Sequence, residues 1–137
     1  MLNNNEIRPI GWTNYDESVK FYNMGLPEST CDLYWHTDVQ HYPDPIKRSS
    51  CENLPCWSVG ALEKILPKTL KLDEYSSVSY ELVIEYVDNK TYVYYNIPRE
   101  TALDKKVTEL CEDSYETLID GFIYLLNVLI DKEFLIF

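Results

Sequence analysis

The residues with the most chemical potential are three cysteines and two histidines in the first half of the chain. They are, in chain order, Cys31, His36, His41, Cys51 and Cys56, with four, four, nine and four residues between them. Thiolate and imidazole are the ligands that zinc prefers. Common zinc sites contain short Cys-x-x-Cys knuckles, and none occurs here. The spacing therefore predicts a protein without a bound metal or other cofactor, and the five residues stay candidate ligands only.

The same residues could supply a cysteine nucleophile with a histidine base, which requires the two side chains to be adjacent in space. Cys56 precedes a predicted helix, and a helix N-terminus can lower the pKa of a nearby thiol. Its neighbours Pro55 and Trp57 indicate a buried position, so we expect Cys56 to be a packing residue and Trp57 a buried anchor. The alternative is a small metal- or cysteine-dependent hydrolase that uses the Cys/His set between residues 31 and 56.

A second distinctive stretch is rich in tyrosine and spans residues 80–95. Five of the twelve tyrosines lie there, close to two glutamates. Aromatic rings stack bases in single-strand binders, but those sites also need a basic groove, which this stretch lacks. Tyrosine is also enriched in the cores of protein interfaces. The stretch predicts a partner-binding surface that comprises Glu81, Glu85, Tyr92 and Tyr94, while packing between strands is the simpler interpretation.

The charge balance excludes some classes of function. Twelve basic residues against 23 acidic ones give a formal net charge of −11. A protein that binds nucleic acid directly must neutralise phosphates with lysine and arginine, so we expect no direct nucleic-acid binding. A protein partner with a basic surface fits this charge, and an acidic mimic of DNA is a further alternative. Neither a phosphate-binding glycine loop nor a Gly-x-Ser-x-Gly elbow is present, so we expect no enzyme.

Length and hydropathy predict the broad class. A chain of 137 residues predicts a single domain over residues 1–137. The first residues contain neither the basic nor the apolar region of a secretory signal. The longest apolar run, within residues 121–130, is far shorter than the roughly 20 residues that a membrane span needs. We therefore expect a soluble, cytoplasmic protein with no membrane association, in which the cysteines are reduced.

Local patterns predict the helices that must position these residues. Residues 14–24 have the pattern of an N-terminal helix, with Thr13 as its N-cap and Gly25 as its stop. Residues 58–66 predict a second helix, which Ser58 caps and a proline ends. Gly60 inside that helix indicates close packing against another backbone. Residues 115–131 predict a closing helix with a broad apolar stripe, and Asp113 is its expected cap.

The strands follow from alternation and turn residues. Residues 78–96 predict a β-hairpin with one buried face, because apolar and polar side chains alternate on either side of an Asp-Asn-Lys turn. Residues 37–55 predict a long irregular loop, since prolines punctuate them. Residues 99–111 fit either a helix or a strand. The whole pattern predicts an α+β fold, with a small antiparallel sheet around the hairpin packed against helices 58–66 and 115–131.

Three segments together carry a resemblance to a known family. The central one is residues 55–67, PCWSVGAL-x3-LP; the others are the Thr-to-Tyr pattern over residues 13–34 and the EDS-x-ET motif at 112–117 with the leucine-rich helix after it. Over about residues 13–131, with a departure near 98–105, the chain resembles small uncharacterised proteins of Bacteroidetes gut bacteria and their phages or prophages. The resemblance implies a small cytosolic α+β protein with no assigned activity. We therefore expect a non-enzymatic accessory protein of phage or mobile-element origin that acts by binding another protein.

Overall fold

The computed structural model describes residues 11–36, 39–49 and 51–137, and for residues 39–41 it describes the backbone alone. This part of the chain contains four α-helices and two antiparallel sheets, which confirms the predicted α+β fold. Its contacts divide it into two compact units, the first ending at Ile65 and including Phe137, the second spanning Leu66–Ile136. The prediction of a single domain stays a prediction. Among the described helices, none has the length and apolar character needed to cross a membrane.

The first unit is built on a three-stranded sheet with two helices. Its elements are α1 (Tyr15–Asn23), β1 (Leu33–His36), β2 (Val39–Asp44), β3 (Asn53–Cys56) and α2 (Val59–Ile65), with a 3₁₀ turn at Glu28–Thr30. The strand order is β2–β1–β3, and both pairings are antiparallel. The central strand β1 therefore brings residues of both outer strands next to its own.

Residues 37–55 are less irregular than the sequence predicts, because they contain β2 and most of β3. The prediction is wrong there because Pro43 and Pro55 resemble strand breakers. Both prolines lie in outer strands of the sheet, where a missing N–H need not cost a ladder hydrogen bond. Residues 45–52 remain as the connection between β2 and β3. Residues 37, 38 and 50 lie outside the described residues.

Helix α1 begins one residue later than its predicted cap implies. Asn14, and not Thr13, is the N-cap: its side chain accepts a hydrogen bond from the Glu17 N–H at 2.8 Å, and the Glu17 carboxylate accepts one from the Asn14 N–H at 2.8 Å. Thr13 is instead fully buried, and its N–H donates to the Trp57 carbonyl at 2.9 Å. Gly25, at φ +93°, ends the helix as predicted.

Trp57 is the centre of the first unit's core, as the sequence predicts. Its side chain is 0% exposed, its indole N–H donates to Thr30 Oγ1 at 2.9 Å, and Phe21 meets it edge to face at 5.9 Å. Ser58 caps α2 as predicted, accepting from the Ala61 N–H at 3.1 Å. Close backbone packing at Gly60 is a wrong prediction, because a Cβ there would meet nothing nearer than Ser58 Oγ at 3.8 Å.

The second unit is built on a four-stranded sheet. Its elements are β4 (Thr69–Leu70), β5 (Tyr80–Val87), β6 (Lys90–Tyr95), α3 (Arg99–Asp104), β7 (Ser114–Tyr115) and α4 (Leu118–Asp131), with a 3₁₀ turn at Thr108–Leu110. The strand order follows the chain, β4–β5–β6–β7. Asp88 and Asn89, at φ +51° and +65°, join β5 to β6, which confirms the predicted hairpin.

Helix α4 begins later than predicted, because the residues before it form a strand. Tyr115 pairs with Thr91 of β6, which keeps the backbone extended where the sequence predicts a first helical turn. Thr117 is the N-cap in place of Asp113, and its hydroxyl accepts from the Asp120 N–H at 3.3 Å. Residues 99–111, which fit either structure, are helical in α3 and the 3₁₀ turn after it.

Strand β6 buries one face against α4, but the prediction of a buried face is wrong for β5, none of whose residues is buried. Val93 and Tyr95 of β6 are 0% exposed, as are Phe122 and Leu126 of the helix. Gly121 permits this contact, because a Cβ at that position would lie 2.7 Å from Val93 Cγ2. Helix α4 thus packs on β6 of the predicted hairpin, whereas α2, the second predicted cover, belongs to the first unit.

Candidate functional site

The first unit brings a cysteine, a histidine and an aspartate into one chain of contacts. His36 Nδ1 lies 3.9 Å from Cys51 Sγ, and His36 Nε2 lies 2.8 Å from Asp44 Oδ1. The three residues come from different places: His36 ends β1, Asp44 ends β2, and Cys51 lies in the connection before β3. We call them the Cys51–His36–Asp44 cluster. Their order matches a nucleophile, a base and a group that orients the base.

The histidine of this cluster is held from both sides. Its side chain is 0% exposed, whereas that of Asp44 is 28% exposed. The hydrogen bond from His36 lowers the pKa of Asp44, and the Ile46 N–H and the nearby Arg48 act in the same direction. Arg48 Nη2 lies 3.1 Å from Asp44 Oδ2. The carboxylate therefore stays ionised and accepts hydrogen bonds on both oxygens.

Asn53 fixes the connection that carries Cys51. Its side-chain carbonyl accepts from the Arg48 N–H at 2.9 Å, and its amide donates to the carbonyls of Arg48 at 2.8 Å and Cys51 at 3.2 Å. Asn53 also pairs with His36 in the register of β1 and β3. One side chain thus ties the connection to the strand that neighbours the histidine.

A cavity of about 390 Å³ opens beside the cluster. Cys51, His36 and Asn53 line it together with aromatic residues and one charge of each sign. The aromatic residues are Tyr15, Tyr22 and Trp35, and the charged ones are Lys47 and Glu52. Cys51 itself is half-buried, so a small molecule in this cavity could reach its thiol.

The other predicted ligands do not join this cluster. Cys56 is 0% exposed and contacts Thr13, and burial raises the pKa of its thiol to about 12, which confirms the expected packing role. Cys31 lies near Tyr34, and burial raises its pKa too. The side chain of His41 lies outside the described residues. Among the side chains that the structure describes, no three or more from His, Cys, Asp and Glu form a group that could hold a metal ion.

The second unit gathers the predicted partner-binding residues on one side of the hairpin. The register pairs Glu85 with Tyr92 and Val83 with Tyr94, and Glu81 lies two residues before Val83 on the same side. The two glutamates are exposed and the two tyrosines half-buried. We call these five residues the tyrosine face. The opposite side of the same strands carries the buried Val93 and Tyr95.

Acidic groups dominate the electrostatics of the tyrosine face. The Tyr94 hydroxyl donates to Glu85 Oε1 at 2.7 Å, and this bond raises the pKa of Tyr94 to about 12. The charge of Glu112 acts in the same direction. Lys90, opposite Val87 at the turn, adds one positive charge at the end of the face. The remainder of the face presents carboxylates beside phenol rings.

Sequence reasoning missed three residues of the first unit's site. Asp44, Arg48 and Asn53 fall in the segment predicted as an irregular loop, so the sequence gives them no partners. One signal could have found Asp44: a hairpin over residues 33–44 would pair strand ends and bring that carboxylate back to His36. No such signal indicates Asn53, because its role consists of hydrogen bonds to the backbone of Arg48 and Cys51.

The chain was compared with known families, curated proteins and solved structures. No family model, curated protein or solved structure matches the chain. The resemblance to small Bacteroidetes and phage proteins therefore stays an expectation that rests on the three sequence segments alone.

Proposed function

We propose that this protein acts by binding another protein through the tyrosine face, and that the partner presents a basic surface. One observation carries the proposal: β5 and β6 place Glu81 and Glu85 in solvent beside Tyr92 and Tyr94, while α4 packs against the other side of β6. The net charge of −11 also attracts a basic partner, and it does so at longer range. A solvated sheet face needs no such combination of rings and carboxylates.

The two kinds of residue have separate physical roles. Carboxylates steer a basic partner towards the face and reject acidic ones, which affects association rates more than final affinity. Tyrosine rings supply buried contact area at little cost in side-chain entropy, and they are frequent among the residues that dominate binding energy. The bond from Tyr94 to Glu85 fixes one ring before any partner arrives. This pre-organisation reduces the entropy that binding must otherwise remove.

The setting of this function follows from the sequence resemblance. We propose an accessory role in a protein of phage or mobile-element origin, performed in the cytoplasm and without catalysis by the tyrosine face itself. Direct contact with nucleic acid is not part of the proposal, because the face is acidic. A DNA mimic would also be acidic, but it would bind DNA-binding proteins whatever the state of the two tyrosines.

A selection from displayed peptides tests the proposal with a defined probe. The purified protein is presented to a library of random peptides, and the enriched peptides are sequenced. We expect enrichment of lysine and arginine together with apolar residues, and binding that Tyr92→Ala weakens by roughly 30-fold, as loss of a dominant interface residue does. Tyr75→Ala is the matched control, since Tyr75 is 90% exposed and outside the face.

The selection also has outcomes that contradict the proposal. Enriched peptides without basic residues would show that the partner need not present a basic surface. Equal effects of Tyr92→Ala and Tyr75→Ala would show that binding occurs elsewhere. Peptides whose binding depends on the carboxylates but not on Tyr92 would favour the DNA mimic. Unfolding measurements on both variants confirm that the comparison uses folded protein.

A further inference from the structure

We propose that Cys51 is a nucleophilic thiol, with His36 as the base that takes its proton, and that it forms covalent adducts with small, neutral carbon electrophiles that enter the adjacent cavity. This inference concerns the first unit and is independent of the binding function proposed for the tyrosine face. It stands on three side chains in contact and a cavity, and not on the cysteine alone.

The hydrogen-bond partners fix which nitrogen of His36 carries the proton. A neutral imidazole has one N–H and one lone pair. The ionised carboxylate of Asp44 can only accept, so the nitrogen 2.8 Å from it, Nε2, is the donor. The lone pair of Nδ1 then faces Cys51 Sγ at 3.9 Å. The histidine is thus set to accept the thiol proton, with Asp44 holding the ring orientation.

The reaction balances with no oxidant or reductant. The sulfur of Cys51 forms a bond to the electrophilic carbon, and the bond from that carbon to its leaving group breaks. The thiol proton moves to His36 Nδ1, and the leaving group departs with the bonding electrons. The imidazolium, stabilised by Asp44, then returns its proton to solvent or to the leaving group.

The charges around the thiol favour a neutral reagent. Asp44 is paired with Arg48 at 3.1 Å, and the cavity wall carries Lys47 and Glu52. Lys47 Nζ is itself 2.8 Å from a Glu28 oxygen. Tyr15 and Tyr22 also line the cavity and supply apolar ring surface with a polar tip.

Cys31 provides a control within the same unit. Like Cys51 it is half-buried, but burial raises the pKa of its thiol and the nearby Glu28 acts in the same direction. Cys56 is fully buried and reports unfolding, because a reagent reaches it only when the core opens. The chain therefore contains both a reactivity control and a folding control.

The test measures alkylation of each cysteine by iodoacetamide, with mass spectrometry of the peptides. At about pH 6.5, below the ordinary thiol pKa of about 8.5, we expect Cys51 to react at least about tenfold faster than Cys31, a low value for base-assisted proton removal. In concentrated urea the ratio should fall to about one, because the cluster no longer exists. Cys56 should stay unlabelled in the native protein.

Two variants separate the base from simple exposure. His36→Gln should lower the labelling rate of Cys51 about tenfold and leave that of Cys31 unchanged, so the ratio of Cys51 to Cys31 labelling falls by the same factor. Asp44→Asn should lower the ratio several-fold, because an amide no longer fixes the histidine tautomer. A native ratio near one, or an unchanged ratio in His36→Gln with Cys56 still protected, overturns the proposal. If His36→Gln exposes Cys56, the Asp44→Asn variant decides: an unchanged ratio there overturns it as well.

Discussion

The two sheets use their polar side chains in opposite ways. In the first unit, His36 is bonded to Asp44, and the side chain of Asn53 is bonded to the connection that carries Cys51. In the second unit, Glu81 and Glu85 point to solvent on a sheet whose other side is packed by α4. The first arrangement fixes geometry and suits chemistry at one atom. The second leaves charge exposed and suits recognition of a surface.

The two kinds of site have different origins in the sequence. A recognition face needs only alternation along two adjacent strands, because register places every second residue on the same side. A reactive cluster needs residues from three separate segments, each held by contacts distant in the chain. A recognition face is therefore determined by a short stretch of sequence, whereas a reactive cluster depends on the whole fold of its unit.

The core of the first unit depends on Trp57. Trp57→Ala should lower the free energy of unfolding by about 3–5 kcal/mol, because it removes a fully buried ring. Denaturant unfolding measures the loss. Tyr75→Ala, at a side chain that is 90% exposed, is the control and should change stability by less than about 0.5 kcal/mol. Equal losses of stability in the two variants would show that Trp57 is not a core residue.

A pair of glycine variants compares the two units directly. Gly121→Ala should cost about 1–3 kcal/mol of stability, because its Cβ would lie 2.7 Å from the buried Val93 Cγ2. Gly60→Ala should instead gain about 0.5–1 kcal/mol, because the nearest atom is 3.8 Å away and alanine favours the helix. The two melting temperatures should thus move in opposite directions. A gain at both positions would show that α4 does not approach β6 closely.

The titration of Tyr94 reports its hydrogen bond on the tyrosine face. Its pKa is raised to about 12, and the hydrogen bond to Glu85 is the largest cause. Because the folded pKa is above the unfolded value, this bond stabilises the fold below about pH 10 and the contribution is lost as the pH rises through 12. Glu85→Gln should lower the pKa of Tyr94 towards its ordinary value. Ultraviolet titration of the phenolate measures the shift, and an unchanged titration would show that the bond does not form.

The sequence predicts the second unit better than the first for a physical reason. The hairpin and the closing helix are local patterns with periods of two and about 3.6 residues, so neighbouring residues determine them. Trp57, Ser58 and Gly25 also carry local signals and lie where these indicate. The start of α4 is the exception, because Tyr115 is held extended by pairing with β6.

The site of the first unit could be predicted only as a set of residue types. Cys51 and His36 are both among the predicted candidates, but nothing local indicates that these two meet, or that Cys56 turns instead to Thr13. The sheet that brings Cys51 and His36 together could not be predicted, because prolines in its outer strands resemble strand breakers. The pairing follows from contacts across 15 residues of chain, which spacing alone cannot specify.

Association rates show whether the tyrosine face binds a basic partner. A basic peptide from the selection is mixed with the protein at low and moderate salt. The matched variants are Glu81→Lys/Glu85→Lys on the face and Glu74→Lys/Glu100→Lys at exposed positions outside the hairpin. Both change the net charge equally, so any difference between them reports the position of the charge.

We expect the face variant to associate about tenfold more slowly at low salt and to lose most of its salt dependence, because steering depends on charge at the contact. The control variant should keep a rate and salt slope close to those of the unmodified protein. If the two variants slow association equally, only the overall charge matters and the hairpin is not the interface. An unchanged rate and salt slope in the face variant would contradict binding through the tyrosine face.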